Sequence, residues 1–260
     1  MAIEGRVRVL GSGTSLGVPT VGSSCDVCQS SDPRDNRLRP SVIVDFDGQS
    51  VLIDTTLDFG QQGLRAGIER VDAVLFTHAH ADHIMGLDDI RPFNFRRREP
   101  IPIYGSEETL AFVRNAFGYI FAGTPAESTV PKLKATVFAG GEPFPLLGLE
   151  CLPVRVRHGR GTVHGFRMGR FAYLTDHSEI PDESLELLRG LDVLFLDALR
   201  HKPHPTHSTV ERSLGYVEQL KPKLTFFTHI SHDLPHQQTQ SVLPPHVRLA
   251  YDGLEVEVEL

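Results

Sequence analysis

The stretch that decides the fold runs from Val71 to His83 and reads VDAVLFTHAHADH. Its first half, Val71 to Thr77, is a short apolar run with the β-branched and aromatic residues of a buried strand. The second half, His78 to His83, places three histidines and one aspartate within six residues. A regular helix would point several of these side chains apart, whereas a strand that turns into a helix brings them together. The segment therefore predicts a metal site at a strand-to-helix turn.

Single histidine or aspartate residues also follow three later strand-like runs. His158, Asp176 and His229 each come directly after a run rich in β-branched or aromatic residues. Strand ends place functional groups on a rigid frame. The donors in the first segment do not saturate two metal ions, so we expect these three residues to complete the site. Asp176 is placed to bridge two ions, and imidazole with carboxylate ligands suits zinc, manganese or iron.

The rest of the chain contains short strand-like runs, with helical segments between the later ones. Strands are predicted at residues 6–10, 41–46, 50–53, 71–76, 101–104, 149–156, 165–168, 171–175, 193–196, 224–227 and 254–258. Helices are predicted at residues 57–66, 107–117, 181–188 and 210–220. Asp47-Gly48 predicts a hairpin turn, and Ser208 with Glu211 predicts a capping box. No linker or repeat interrupts residues 1–260, so one α/β domain of sheets with helices outside is expected.

The composition is that of an ordinary globular protein, apart from its histidines. Hydrophobic residues make up 40% and charged residues 23% of the chain, which allows a sizeable core. The net charge of −7 disfavours a nucleic-acid partner, because such proteins usually present a basic surface. The 13 histidines favour metal binding or acid–base chemistry. We find neither a signal peptide nor a run of about 18 apolar residues, so a cytoplasmic protein without a membrane segment is expected.

The H-x-H-x-D-H pattern after a strand, followed by His, Asp and His at later strand ends, resembles the metallo-β-lactamase superfamily. The resemblance implies a four-layer αβ/βα sandwich with a dinuclear metal site at the edge of the sheets. It implies His78, His80 and His158 as ligands of one metal, Asp82, His83 and His229 as ligands of the other, and Asp176 as the bridge. It also implies that Asp54, which ends an early strand, braces the metal loop without binding metal, as such sites require.

Further motifs are similar to the branch that contains the phosphoribosyl cyclic phosphodiesterase of phosphonate breakdown. They are GSGTSLGVP at 11–19, DPRDNRLRPS at 32–41, GLDDIRPFN at 86–94 and THISH at 228–232. This branch carries a structural zinc held by C-x-C-x-x-C and by the second histidine of H-x-x-H. Ser23 stands where the first cysteine would be, which leaves Cys25, Cys28 and His232 as ligands. Partial or absent zinc occupancy is therefore expected there.

A histidine-rich loop follows the strand-like run at 193–196. His201, His204 and His207 have H-x-x-H-x-x-H spacing, but the prolines between them prevent a helical face from aligning all three. The resembling branch places a general acid or base after this strand. His207, which lies next to the predicted helix start, aligns best with that residue. We therefore expect His207, Asp82 and Asp176 to be catalytic, and His201 and His204 to have no role.

These features predict a dinuclear phosphodiesterase that hydrolyses a small phosphodiester, such as a ribose cyclic phosphate or a cyclic nucleotide. Two zinc or manganese ions are the expected cofactors, and the resemblance implies a homodimer. Three alternatives stay open: a ribonuclease Z-like tRNA 3′-processing endonuclease, a lactone or thioester hydrolase, and a non-catalytic metal-binding protein. A degenerate ligand set would favour the last alternative, but all seven active-site ligands are present.

Overall fold

Two seven-stranded β-sheets form the centre of the protein, described here by a computed structural model. The structure describes residues 3–97, 99–122 and 129–260. The strands of the first sheet are β1 (Glu4–Gly11), β2 (Ser41–Phe46), β3 (Gln49–Ile53), β4 (Ala73–Leu75), β5 (Ile101–Gly105), β6 (Leu133–Val137) and β14 (Glu255–Glu259). Their order is β14-β1-β2-β3-β4-β5-β6, antiparallel from β14 to β3 and parallel from β3 to β6.

The second sheet mirrors the first in its mixture of antiparallel and parallel pairs. Its strands are β7 (Phe144–Leu146), β8 (Leu149–His158), β9 (Gly161–Met168), β10 (Phe171–Leu174), β11 (Val193–Asp197), β12 (Leu224–Thr228) and β13 (Val247–Leu249). Their order is β13-β12-β11-β10-β9-β8-β7, with β10 to β13 parallel and β7 to β10 antiparallel. Parallel strands need crossover connections, which explains the helices between the later strands.

Helices cover the outer faces of both sheets. The α-helices are α1 (Phe59–Arg65), α2 (Ala81–Ile84), α3 (Arg91–Asn94), α4 (Glu107–Ala116), α5 (Gly118–Phe121), α6 (Asp182–Leu187), α7 (Val210–Leu220) and α8 (His236–Val242). Short 3₁₀ helices lie at Pro33–Asp35 and Leu87–Ile90. No helix among the described residues is long and apolar enough to cross a membrane.

Three apolar clusters hold these layers together. The central cluster joins the inner faces of the two sheets, where Val44 and Phe166 are fully buried. A second cluster packs α6 and α7, through Leu185 and Val217, onto the outer face of the second sheet. A third packs α1 and α4 onto the first sheet. Since each buried side chain of this kind contributes roughly 1.5–3 kcal/mol of transfer free energy, all layers are firmly attached. The predicted α/β sandwich is thereby confirmed.

Most predicted elements are present, with differences at their ends. Residues 210–220 are helical as predicted, and Asp47-Gly48 forms the expected hairpin turn between β2 and β3. The short strands β6, β7 and β13 and the helices α3, α5 and α8 were not predicted. The predicted capping box is wrong: Thr209 is the N-cap of α7 and accepts from the Arg212 backbone N–H at 3.2 Å. Glu211 contacts His201 instead, at 2.6 Å.

The topology brings the carboxyl ends of six strands to one edge of the sandwich. Strands β3 and β4 are parallel in the first sheet, and β10, β11 and β12 are parallel in the second. Strand β8 points the same way as β10, because both are antiparallel to β9. Residues that follow these strands therefore meet at the same edge, although they lie far apart in the sequence.

Candidate metal centre

The loop after β4 presents the histidine-rich segment. His80 is the N-cap residue of α2, so the chain changes from strand to helix between His78 and His83, as the spacing predicted. Asp54, fully buried at the end of β3, holds this loop. It accepts from the Thr77 backbone N–H at 2.9 Å, from Thr77 Oγ1 at 2.8 Å and from His83 Nδ1 at 2.7 Å. These contacts are the ones expected of a brace, and they leave His83 Nε2 facing the centre.

Two groups of donor atoms meet at the edge of the sheets. In each group the donor atoms lie within 4.8 Å of one another. The first group consists of His78, His80, His158 and Asp176. The second consists of Asp82, His83, Asp176 and His229. All seven residues that the sequence indicated as ligands are thus brought together, in the two groups that the resemblance implied.

Asp176 belongs to both groups because its two oxygens face different histidines. Its Oδ1 lies 3.3 Å from His83 Nε2 and 3.3 Å from His229 Nε2. Its Oδ2 lies 3.8 Å from His78 Nε2 and 4.0 Å from His158 Nε2. The carboxylate therefore stands between the groups, as a bridging ligand would.

A hydrogen bond on the ring nitrogen that faces away from the other donors fixes the orientation of His158. His158 Nδ1 lies 2.8 Å from the Thr206 carbonyl oxygen, which accepts its proton and leaves Nε2 facing Asp176. The Nε2 atoms of His83 and His229 are buried and have no hydrogen-bond partner among the described residues. Buried polar atoms without partners are costly and usually mark an ion or water. This set of histidines and carboxylates, in which the Nε2 atoms of His83 and His229 face the centre without a hydrogen-bond partner among the described residues, fits divalent metal ions.

The raised pKa values of two buried histidines, His83 and His229, also indicate a site for cations. Burial alone would lower the pKa of His83, but Asp82, Asp176 and Asp54 raise it well above its ordinary value. Burial also opposes protonation of His229, yet Asp176 and Asp82 raise its pKa to about 9. Buried carboxylates attract positive charge, which a proton or a metal ion supplies. The pocket is therefore built to hold cations.

Three residues of the centre adopt a left-handed backbone conformation. The φ angles are 63° for Asp54, 54° for Asp176 and 57° for His229. Asp54 and His229 directly follow a strand, and Asp176 lies two residues after β10. Non-glycine residues seldom occupy this region, and when they do they cluster at functional sites. The sharp turn at each strand end directs the side chain into the centre.

His207 lies at the rim of the centre, held by a residue that sequence reasoning overlooked. Its Nδ1 is 2.8 Å from Asp197 Oδ2, and its ring stacks on His229 at a centroid distance of 4.5 Å. Asp197 is fully buried at the end of β11, the same place that Asp176 takes after β10. That strand-end position was the signal that could have identified it. His207, Asp197 and His229 also form a group of possible donors within 4.8 Å of one another. No hydrogen bond to His207 Nε2 is found in the described part of the chain.

The two other histidines of the loop differ from each other. His201 is exposed and lies 2.6 Å from Glu211, away from the donor groups. His204 stands closer, with its ring 5.1 Å from that of His207, and its Nδ1 lies 3.1 Å from Thr206 Oγ1. Neither residue belongs to a donor group.

A second donor cluster lies at the N-terminal loop. Cys25 Sγ and Cys28 Sγ lie 3.3 and 3.6 Å from His232 Nδ1. Ser23 Oγ is also 3.3 Å from this nitrogen, so serine occupies the fourth corner. The three cluster residues are half-buried. Ser23 and the Cys28 backbone N–H lower the pKa of Cys25 to about 6, which favours the thiolate that zinc requires.

Comparisons with known proteins agree with this geometry. Residues 49–230 match the Beta-lactamase superfamily domain. An octanoyltransferase of Porphyromonas gingivalis is 40% identical over 257 residues, which are 98% of this chain and 52% of that protein. A ribonuclease Z of Bradyrhizobium diazoefficiens is 32% identical over 133 residues, 48% of this chain and 42% of that protein. The chain thus spans about half the length of these curated relatives.

Among solved structures, a diphosphatase from the PhnP family is 52% identical to this chain. The match covers 100% of this chain and 99% of the diphosphatase, with a TM-score of 0.94. The matched region therefore includes both sheets of this chain.

Proposed function

The chain belongs to the beta-lactamase superfamily, and from this premise we propose that it is a dinuclear metal-dependent phosphodiesterase acting on a small cyclic phosphodiester. The observation that carries the proposal is the position of Asp176, whose two oxygens face separate histidine groups. A carboxylate so placed is suited to join two ions. We assign His78, His80 and His158 to one ion and Asp82, His83 and His229 to the other, with zinc or manganese as candidates.

Two divalent ions in these groups would supply Lewis acidity that polarises the phosphoryl group and makes water nucleophilic near neutral pH. The chain's own residues fix the geometry. Asp54 and Thr77 hold the loop of His78 and His83, and the Thr206 carbonyl orients His158. Because these contacts exist before substrate binds, little reorganisation is needed during the reaction.

His207 is the proposed general acid. In the reaction, water adds to phosphorus and loses one proton to solvent, and the bond from phosphorus to the leaving oxygen breaks. His207 Nε2 donates a proton to that oxygen and regains one from solvent afterwards. Asp197 accepts from Nδ1 and so orients the ring. A positioned acid of this kind contributes roughly 10²–10⁴ in rate. Its place at the rim, next to both donor groups, suits a leaving group that points towards solvent.

The relatives favour phosphorus chemistry over carbon esters. The diphosphatase, at 52% identity over nearly its whole length, supports hydrolysis at phosphorus. Ribonuclease Z also supports it, although that match covers only 48% of this chain. The octanoyltransferase gives little support for acyl transfer by this chain. The match covers 52% of that protein, and its name does not say which part transfers the acyl group.

One rival is favoured by a specific observation. The diphosphatase relative makes a phosphoanhydride substrate the main alternative to a cyclic phosphodiester. The two reactions differ in the leaving group, because a phosphate leaves as a weak base and needs less protonation than an alkoxide. A tRNA substrate is less favoured, since the net charge of −7 gives no excess of cations for a polyanion.

For the second cluster we propose a structural zinc site formed by Cys25, Cys28 and His232. Two thiolates and one imidazole bind zinc, but Ser23 is a poor fourth ligand, so occupancy should be incomplete. The fold has three large apolar clusters, so it should not depend on this metal as a small domain would.

A substrate panel on metal-loaded protein tests the proposed function. Bis-p-nitrophenyl phosphate, a 2′,3′-cyclic nucleotide, a nucleoside diphosphate, a lactone and a thioester are compared, and metal content is measured on the same samples. The proposal expects turnover of the first two and about two active-site metal equivalents per chain. A His78→Ala, His80→Ala double variant controls for contaminating hydrolases. Preference for the nucleoside diphosphate, the lactone or the thioester would overturn the assigned reaction.

A further inference from the structure

His204, on the loop between β11 and α7, lies beside the proposed acid and belongs to none of the donor groups. Its ring centroid is 5.1 Å from that of His207, and the His207 ring is in turn 4.9 Å from that of His158 and 4.5 Å from that of His229. Among the described residues, neither His158 nor His229 has a ring contact with His204. The half-buried His204 therefore stands one ring further from the donor groups than His207.

Two prolines fix the backbone on either side of His204. The segment reads Lys202-Pro-His-Pro-Thr206. Each proline fixes its own φ near −65°, and Pro205 also restricts the residue before it to extended conformations. The Arg200 guanidinium donates to two carbonyls of this segment, at 3.2 and 3.4 Å. The backbone that carries His204 is therefore well fixed, although it lies outside the helices and strands.

Thr206 orients the ring of His204 together with the ring of His158. The Thr206 backbone N–H donates to His204 Nδ1 at 3.3 Å, and Thr206 Oγ1 lies 3.1 Å from the same nitrogen. The Thr206 carbonyl accepts from His158 Nδ1 at 2.8 Å. A ring nitrogen that accepts a backbone hydrogen bond carries no proton, so the proton of the neutral His204 ring is on Nε2. Burial and His207 lower the pKa of His204, which favours this neutral form.

The Nε2–H group of His204 is available to a ligand. No hydrogen bond to this nitrogen is found in the part of the chain that the structure describes. Because His207 is the proposed proton donor to the leaving oxygen, the molecule next to His204 during the reaction is the leaving group. Two rings with centroids 5.1 Å apart can contact two oxygen atoms of one small leaving group at the same time. His204 is therefore placed to contact an oxygen other than the one that His207 protonates.

We propose that His204 determines specificity for the leaving group by donating a hydrogen bond from Nε2 to a second oxygen of that group, such as a neighbouring hydroxyl. The inference rests on the proposed phosphodiesterase activity and adds the residue that selects the alcohol. His204 forms no bond to phosphorus and transfers no proton in this role. It distinguishes alcohols with a further hydroxyl from alcohols without one.

Two cyclic phosphates that differ by one hydroxyl test this role. Glycerol 1,2-cyclic phosphate and propane-1,2-diol cyclic phosphate are compared on zinc-loaded protein. The wild type is expected to prefer the glycerol compound in kcat/KM by about 2- to 12-fold, the range for a hydrogen bond between neutral groups. His204→Leu should lose this preference through slower turnover of the glycerol compound. His204→Gln keeps an N–H donor and should restore part of the preference.

His201→Leu is the matched control on the same loop. His201 is exposed and lies 2.6 Å from Glu211, so this variant should keep the wild-type preference. Equal losses on both cyclic phosphates in His204→Leu would overturn the inference, because His204 would then support the reaction without recognising the extra hydroxyl. A wild type without a preference would overturn it too. Melting temperatures of all variants show whether each one folds.

The position of the proton on the His204 ring separates this inference from the proposed function. Long-range proton–nitrogen NMR spectra of zinc-loaded protein identify the protonated nitrogen, and the His204 signals are assigned by their loss in His204→Gln. The inference expects the proton on Nε2, and a larger shift of that signal with glycerol 1-phosphate than with propane-1,2-diol 1-phosphate. This result would support the role of His204 even if no cyclic phosphate is hydrolysed, and the proposed function would then fail alone. A proton on Nδ1, or equal shifts with both phosphates, would overturn the inference whatever the activity.

Discussion

The two donor clusters of this protein differ in burial and in the contacts that support their side chains. In the His–Asp centre, Asp82, His83, Asp176 and His229 are all buried, and His80 is the exposed member of the other donor group. In the cysteine cluster, Cys25, Cys28 and His232 are half-buried, and Ser23 fills the fourth corner. The first cluster has a carboxylate shared between two donor groups, whereas the second has three donors for one ion.

The supporting contacts show the same contrast. Asp54, Thr206 and Asp197 each fix a histidine of the His–Asp centre from outside. His232 offers Nδ1 to the cysteines and to Ser23, and no hydrogen bond from its Nε2 is found among the described residues. Outer contacts fix ring orientation and raise metal affinity. The contrast indicates that the side chains of the first cluster are held in place by more outer contacts than those of the second.

The largest effect is expected from removing the shared carboxylate. Asp176→Ala should lose nearly all hydrolysis and at least one metal equivalent, because both groups lose an oxygen. Metal analysis and steady-state kinetics on the purified variant check this. Since Asp176 has a φ of 54°, Asp176→Asn is the matched variant that keeps the backbone conformation and removes the charge. Two retained metals with normal turnover would place Asp176 outside the centre and weaken the contrast between clusters.

Removing the proposed acid should be the next largest effect. His207→Ala should retain its metals but slow hydrolysis of a ribose cyclic phosphate by roughly 10²–10⁴. Bis-p-nitrophenyl phosphate should suffer less, because p-nitrophenolate leaves without protonation. His201→Ala is the control on the same loop, since His201 is exposed and paired with Glu211. Equal losses on the two substrates would contradict acid catalysis.

A smaller effect is expected from weakening the brace. Asp54→Asn keeps the shape and tolerates the left-handed backbone, but it no longer accepts from both Thr77 and His83 as an anion. Metal affinity or activity should fall by roughly 10–100-fold, the usual cost of losing an outer partner. Asp72→Asn is the control, because Asp72 is buried at the opposite end of β4 and pairs with Arg70. If Asp54→Asn and Asp72→Asn bind metal equally well, the contacts of Asp54 do not explain the difference between the His–Asp centre and the cysteine cluster.

The smallest effect is expected at the cysteine cluster. Ser23→Cys should raise bound zinc by up to one equivalent and increase the melting temperature by a few degrees, since about 1 kcal/mol shifts Tm by roughly 2–4 °C at this size. Turnover should not change. Zinc analysis with thermal unfolding measures both, and Cys25→Ser should have the opposite effect. A tightly held zinc at full occupancy in the unaltered protein would show that Ser23 does not weaken the site.

Local sequence predicted those parts of the centre that lie close together in the chain. His78, His80, Asp82 and His83 lie within six residues, so strand and helix geometry alone predicts that they converge. The strand ends at His158, Asp176 and His229 were also recognisable from their apolar runs. Asp197 ends a strand in the same way but was not recognised, because nothing in its neighbourhood indicates that it faces His207. The short strands β6, β7 and β13 contain five, three and three residues, which are too few to show a strong strand pattern in the sequence.

By itself, the sequence determined the seven candidate ligands, since these follow from short-range spacing and strand ends. The four-layer fold and the brace at Asp54 were implied by the resemblance to the superfamily. Only the tertiary structure decided the distances at which the ligands stand around Asp176 and which histidine Asp197 orients. His83 and His229 are separated by more than a hundred residues, yet both face Asp176 at 3.3 Å. Parallel strands in two packed sheets set such distances, because strand order and sheet packing place residues that the chain itself keeps apart.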